Sequence, residues 1–74
     1  MAFGDWSDVD STNLKAVRFD AETGTMQIEF RNGSVYEWDG VTEDQAQSVV
    51  SADSPGKHFN NFIRGLFGNG RKVS

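Results

Sequence analysis

Lys57, His58, Asn60, Asn61 and Arg64 stand together in the stretch SPGKHFNNFIRG, and Arg71 and Lys72 follow it, with Phe67 and glycines between. Cations, amides and an aromatic ring in one segment suit contact with a phosphate backbone together with stacking of bases. The cations are few, so binding of this kind is expected to be weak and to fall with salt. His58 has Ser54 and Asp53 nearby in the chain, the residue types of a hydrolytic triad. All three fall at one helix start, where Ser54 is expected to cap. Nothing in the spacing places a group to orient the imidazole or to build an oxyanion hole. His58 is therefore read as an exposed helix residue. Glu43-Asp44 reads as a complement to a helix dipole rather than as a catalytic pair.

The segment SPGK lacks the long glycine spacing and the preceding strand of a phosphate loop. Gly56 and Lys57 at a helix start leave room for a weak anion or nucleotide contact, but the favoured reading is that Gly56 lets two helices pack closely. The chain has no cysteine and one histidine, which excludes disulfides, thiolate sites and zinc fingers. No metal and no cofactor is expected.

Charge is unevenly placed in these 74 residues, whose net value is −4. Residues 1–53 hold eleven acids against Lys15, Arg18 and Arg31, a balance of −8, whereas residues 54–74 hold Lys57, Arg64, Arg71 and Lys72 and no acid, a balance of +4. The overall acidity argues against a strong general polyanion binder. It leaves a local phosphate contact at the basic end and a basic protein partner for the acidic body. The opening MAFGDWSDVDS carries Phe3 and Trp6 among Asp5, Asp8 and Asp10. It has no periodicity and reads as an irregular acidic arm, with Trp6 covering an edge of the core. No basic segment leads into an apolar run, and no apolar stretch reaches membrane-spanning length. A cytoplasmic protein without a membrane partner is the expectation.

The elements that hold these groups follow from periodicity. NLKAVRFD reads as a first strand whose Leu14, Val17 and Phe19 require a bulge near Lys15 and Ala16. TMQIEF alternates, with Met26, Ile28 and Phe30 on one face. The next strand carries Tyr36 and Trp38, and its register depends on the loop before it. A two-residue Asn32-Gly33 turn would set Glu37 beside Ile28 and turn both rings outward. A three-residue loop, Arg31-Asn32-Gly33, sets Ile28 opposite Tyr36 and Met26 opposite Trp38. Burying two rings and leaving the carboxylate outside favours the second. Thr42 with Gln45 forms a capping box and Val41 staples onto Ala46, opening a helix whose Ala46, Val49 and Val50 face the sheet. Ser54 caps a second helix with Pro55 at its first position and Gly65 at its end. Phe59, Phe62 and Ile63 supply its apolar face, and the chain is expected to fray after Phe67. The fold class is α+β: a three-stranded antiparallel sheet followed by two short helices packed on one face, in the order βββαα. The arm is 1–10, the domain 11–67 and the basic, Gly-rich tail 68–74.

These stretches resemble the KTSC domain family, named for the C-terminal appendage of some lysyl-tRNA synthetases. DSTNLKAVRFDAETGTMQIEF is similar to its opening strands, GSVYEWDGV to its central motif of two aromatics, and SPGKHFNNFIRG to its closing signature. In that signature Ser54, Gly56, Lys57, Phe59, Asn60, Ile63 and Arg64 are in register. The resemblance runs from Asp10 to Phe67. Trp38 replaces the more usual tyrosine, Thr42 a common proline, and Leu66-Phe67 a more polar, tyrosine-containing end. The family occurs as small stand-alone proteins of bacteria and phages, and RNA binding has been inferred for it from the synthetase association. The resemblance thus implies a non-catalytic module. The leading expectation is an RNA or other nucleic-acid contact through Lys57, His58, Asn60, Arg64, Arg71 and Lys72, with Tyr36 contributing an edge. The alternative is an acidic, phage-type adaptor or inhibitor whose Phe3, Trp6, Asp5, Asp8 and Asp10 engage a basic surface of a host nucleic-acid-handling or defence protein.

Overall fold

TMQIEF lies at the centre of the sheet, where flanking strands bury Thr25 and Gln27 as well as the alternating Met26 and Ile28. The computed structural model describes residues 3–74 and contains five antiparallel strands in the order β1-β2-β3-β4-β5. These are β1 Ser7–Asp8, β2 Leu14–Asp20, β3 Thr25–Phe30, β4 Val35–Trp38 and β5 Arg71–Lys72. Between β4 and β5 lie α1 Glu43–Ser51, α2 Pro55–Phe59, a π-helical turn over Asn60–Arg64 and α3 Gly65–Phe67. The expected α+β class holds, but the sheet has two more strands than the periodicity predicts. Both come from segments read as irregular. In the arm, Ser7 pairs with Val17 and Asp8 with Ala16. In the tail, Lys72 pairs with Tyr36 and Arg71 with Glu37.

The three-residue loop sets the register of the central hairpin. Gly33 takes φ 92°, a conformation open to glycine at little cost, and the Phe30 amide donates to the Ser34 carbonyl at 2.8 Å. Ile28 then faces Tyr36 and Met26 faces Trp38. The β2–β3 register shifts between Leu14 and Ala16, the bulge that the spacing of Leu14, Val17 and Phe19 requires. One face of the sheet therefore presents Val17, Met26, Ile28 and Trp38 to the helices. With Val9 of the arm and Leu14, Val41, Ala46, Val49, Phe59 and Ile63 these form the buried core.

Thr42 accepts a hydrogen bond from the Gln45 amide at 3.1 Å, and Gln45 Oε1 accepts one from the Thr42 amide at 2.9 Å. The capping box predicted for α1 is present. The second helix departs from expectation in three ways. Ser54 makes no side-chain cap; its carbonyl accepts from the His58 amide at 3.0 Å instead. Gly65 does not end the helix; its amide donates to the Asn60 carbonyl, five residues back, closing the π turn. That wider turn breaks the predicted stripe: Phe59 and Ile63 are fully buried, but Phe62 is 52 % exposed.

The tail does not fray. Gly68 and Gly70 both take positive φ and wrap the chain across the indole of Trp38, whose Nε1 donates to the Gly68 carbonyl at 2.9 Å. A buried tryptophan needs such an acceptor, and the tail supplies it on the way into β5.

The other sheet face carries a ladder of polar groups through four strands. Arg18 Nε donates to Gln27 Oε1 at 2.8 Å, Gln27 Nε2 donates to Glu37 Oε1 at 2.9 Å, and Arg71 donates to Glu37 Oε2. The Gln27 amide first, and the Arg71 guanidinium second, hold the Glu37 carboxyl below the usual carboxylate range. A carboxyl whose pKa falls on folding contributes stability above its unfolded-state value, roughly pH 4.3 for glutamate. The contribution fades as pH drops through the lower, folded value. Glu37→Gln is therefore expected to be less stable than wild type at neutral pH, and the two should converge as pH falls below roughly 4.3. Urea midpoints measured from pH 3 to 6 test this. A constant difference across that range would exclude the assigned role of the carboxylate.

Candidate nucleic-acid interface

The cations predicted to act together are divided by the fold. Residues directly opposite one another on neighbouring strands share a sheet face, and successive residues alternate. Arg71 thus lies with Glu37 on the ladder face, where it also approaches Asp39 at 3.6 Å. Lys72 shares the face of Tyr36. His58 turns away from both and stacks on Phe62, ring centroids 4.5 Å apart, beside α1.

Lys57, Asn60 and Arg64 remain together. The helix carries them along one side at spacings of three and four residues, and Asn60 links the other two. With Lys57 it lines an open groove of about 680 Å³ against the Asp10–Asn13 segment. Its Oδ1 accepts from Arg64 Nη1 at 3.1 Å. The Arg64 guanidinium is also held 5.1 Å above the Phe59 ring, a cation–π placement on a fully buried aromatic. Arg64 then borders a second cleft, of about 390 Å³, formed with Phe30, Asn32, Ser34, Tyr36 and Asn69. Tyr36 is half-buried there, packed edge-on against Phe30 with centroids 5.6 Å apart.

Gly56 sits at the floor of the first groove. A Cβ on it would lie 2.7 Å from Asn13 Oδ1 and 3.1 Å from Ser11 Oγ. The glycine thus admits the loop before β2, rather than a close helix–helix contact. Ser11 Oγ in turn donates to Asn13 Oδ1 at 2.9 Å. Arg31, which the sequence reading left out of the site, reaches the same loop: its Nε donates to the Ser11 carbonyl at 2.9 Å. Asn32, Ser34 and Asn69 were missed as well. The Arg31-Asn32 pair at a hairpin tip and the Gly-Asn-Gly run in the tail were the available signals.

Electrostatics distinguish this side from the rest of an acidic molecule. Lys15 lies 3.7 Å from Glu29, and Arg71 is held by Glu37 and Asp39. Among the described residues, Arg31, Lys57, Arg64 and Lys72 form no ion pair. Asp10 and Asp53 line the first groove together with Lys57, so the groove itself is not net cationic, and the cationic character lies toward Arg64. In the arm, Phe3 and Trp6 lie on the Arg18 guanidinium, whose carbon is 4.7 Å and 4.4 Å from their ring centroids. Trp6 therefore covers the ladder face at Arg18. Asp5, Asp8 and Asp10 are exposed. No group of three or more His, Cys, Asp or Glu among the described residues is placed to hold a metal ion, and none of their helices is long and apolar enough to cross a membrane.

A five-stranded antiparallel sheet backed by α1 and an interrupted second helix, with the closing signature lining an edge groove, defines a small α+β domain. The KTSC domain model matches residues 10–67, and the chain belongs to the KTSC domain family. KTSC is a small domain and not a known catalytic family. The chain is 41% identical over 54 residues to a lysine–tRNA ligase of Nostoc punctiforme, a match covering 73% of this chain and 10% of the ligase. It is 30% identical over 56 residues to an uncharacterised protein of Stutzerimonas stutzeri, covering 76% of this chain and 79% of that one. The crystal structure of a KTSC domain protein from Yersinia pestis superposes with a TM-score of 0.87 at 30% identity, over 99% of this chain and 100% of the other. The chain thus spans about a tenth of the ligase's length, against 79% of the Stutzerimonas stutzeri protein and 100% of the Yersinia pestis chain.

Proposed function

We propose that this protein is a non-catalytic module that contacts RNA along the Lys57–Asn60–Arg64 edge of its second helix. The observation that carries the reading is that cations free of ion pairs flank an amide and a half-buried tyrosine, while Lys15 and Arg71 are paired with carboxylates elsewhere. Phosphates would meet Lys57, Arg64 and Arg31, and the rings beside them offer faces and edges for bases. Similarity to a segment of lysine–tRNA ligases supports an RNA setting. Lys72 flanks Tyr36, whereas Arg71 and His58 have intramolecular roles that place them outside the contact. The acidic-adaptor reading draws on the exposed Asp5, Asp8 and Asp10. The two rings of that arm are engaged with Arg18, which makes it the weaker reading.

Lys57→Ala combined with Arg64→Ala is expected to weaken binding of a single-stranded RNA about tenfold or more at low salt. Both side chains are exposed, so the pair should leave the fold intact. Filter binding with a circular-dichroism control checks both points. Unchanged affinity in a folded double variant would remove the proposal.

A further inference from the structure

The cleft between the β3–β4 hairpin and the end of the second helix has features that phosphate contact does not require. Its lining is Phe30, Asn32, Ser34, Tyr36, Arg64 and Asn69, and its volume of about 390 Å³ falls in the range of small-molecule sites, roughly 300–1,000 Å³. Phe30 and Tyr36 form an aromatic wall, braced at right angles to one another (84°) and backed by Phe59, 5.8 Å from Phe30. The Arg64 guanidinium, which also lines the cleft, is held by Asn60 and by the Phe59 ring.

The polar groups around that wall are positioned but not used. Asn32 Oδ1 accepts from the Ser34 amide at 2.9 Å, which fixes the side chain; its NH2 has no hydrogen-bond partner among the described residues. Asn69 is carried between Gly68 and Gly70, at φ 85° and 76°, on the turn clamped by Trp38 Nε1 to the Gly68 carbonyl. Its amide makes no hydrogen bond among the described residues, and neither does the Tyr36 hydroxyl. Two amides and a phenol from three elements thus converge on one aromatic-walled space. An amide offers a donor and an acceptor side by side, the pattern that reads the edge of a base. Aromatic and guanidinium planes offer faces for its ring.

We infer that this cleft receives one unstacked nucleobase, so that the ligand is single-stranded and its recognition depends on a base as well as on the backbone. The inference rests on the RNA reading above and names its substrate class. Lys57 and Arg31 would hold phosphates of the same strand, and Lys72 would flank the base on the Tyr36 side.

The test compares an octamer of adenosines with a ribose-phosphate octamer of equal length that lacks bases, and with the adenosine octamer annealed to its complement. Wild type should bind the single strand roughly 5- to 100-fold more tightly than the baseless octamer, and the duplex should gain nothing over that backbone. Asn69→Ala with Tyr36→Phe, which keeps the ring and removes polar groups that have no hydrogen-bond partner among the described residues, should lower affinity for the adenosine octamer by roughly 2- to 10-fold, leave the stacking share of the preference, and change neither the affinity for the baseless octamer nor the salt dependence. Equal affinity for the two single strands, with both lowered by Lys57→Ala and Arg64→Ala, would overturn the base cleft while the RNA reading stands. Preferential binding of the duplex would also overturn it. No binding of any of the three at low salt would overturn both.

Discussion

Phe59→Ala is expected to lower the stability of the folded chain by about 3–5 kcal/mol. Phe59 is fully buried, and its ring meets Trp38 at 5.1 Å and Phe30 at 5.8 Å, both edge-on, while Arg64 lies over it at 5.1 Å. Removing the ring empties the junction between sheet and helix and takes the support from Arg64. A chain of 74 residues has roughly 4–11 kcal/mol to lose in all, so the loss is a large fraction of the total and would unfold a chain at the lower end of that range. Phe62→Ala, three residues along the same helix, is the internal comparison. Its ring is 52 % exposed, and it should change stability by less than about 0.5 kcal/mol. Urea unfolding of the two variants separates them. Similar losses would contradict the assignment of the π turn as the feature that sends one ring inward and the other out.

Gly70→Ala should detach the tail. A Cβ at this position would lie 2.5 Å from Trp38 Cε2 and 2.8 Å from both Cζ2 and Nε1. The indole is buried and hydrogen-bonded, so it has nowhere to move, and φ of 76° adds a backbone penalty on the order of 1–2 kcal/mol for any residue with a Cβ. The chain can escape the clash by peeling β5 from β4, which limits the loss to what tail docking contributes. The expected signature is a Trp38 Nε1–H that exchanges rapidly with solvent and a red-shifted emission in a Trp6→Phe background. Gly33→Ala has positive φ without any atom within 4 Å and should show the backbone penalty alone. An unshifted Trp38 signal in Gly70→Ala would show that the tail does not depend on this contact.

The parts of the fold that were legible are those in which periodicity and burial agree. The hairpin register could be chosen because the alternative buries Glu37 beside Ile28. The β2 bulge follows from the spacing of Leu14, Val17 and Phe19, and the α1 start from Thr42 and Gln45. Strands of two residues leave no period to detect. Ser7–Asp8 is held to β2 while Phe3 and Trp6 stack on Arg18, and Arg71–Lys72 is held by the wrap around Trp38, all through partners distant in the chain. Gly68 and Gly70 looked like fraying and instead supply the left-handed turns that close the sheet. The unmet hydrogen-bond demand of a buried Trp38 was the clue in the sequence. At the site, Lys57, His58, Asn60, Asn61 and Arg64 were legible as a group on one short helix, but not that His58 turns away from the rest to stack on Phe62. The separation of Arg71 from Lys72 depended on a strand that the sequence did not announce, and the π turn changed which aromatics face inward.

An acidic protein, with net charge −4, is proposed to meet a phosphate backbone through a small set of cations that form no ion pair among the described residues. Fluorescence anisotropy of a labelled single-stranded RNA, titrated at several salt concentrations, tests it most directly. Each phosphate contact to a single strand contributes roughly −0.7 to the slope of log K against log salt. Contacts from Arg31, Lys57 and Arg64 predict a slope of roughly −2, reduced toward roughly −0.7 in the Lys57→Ala, Arg64→Ala double variant. Absence of binding at low salt, or a slope unaltered by the two substitutions, would contradict the account and turn attention to the acidic arm and a protein partner.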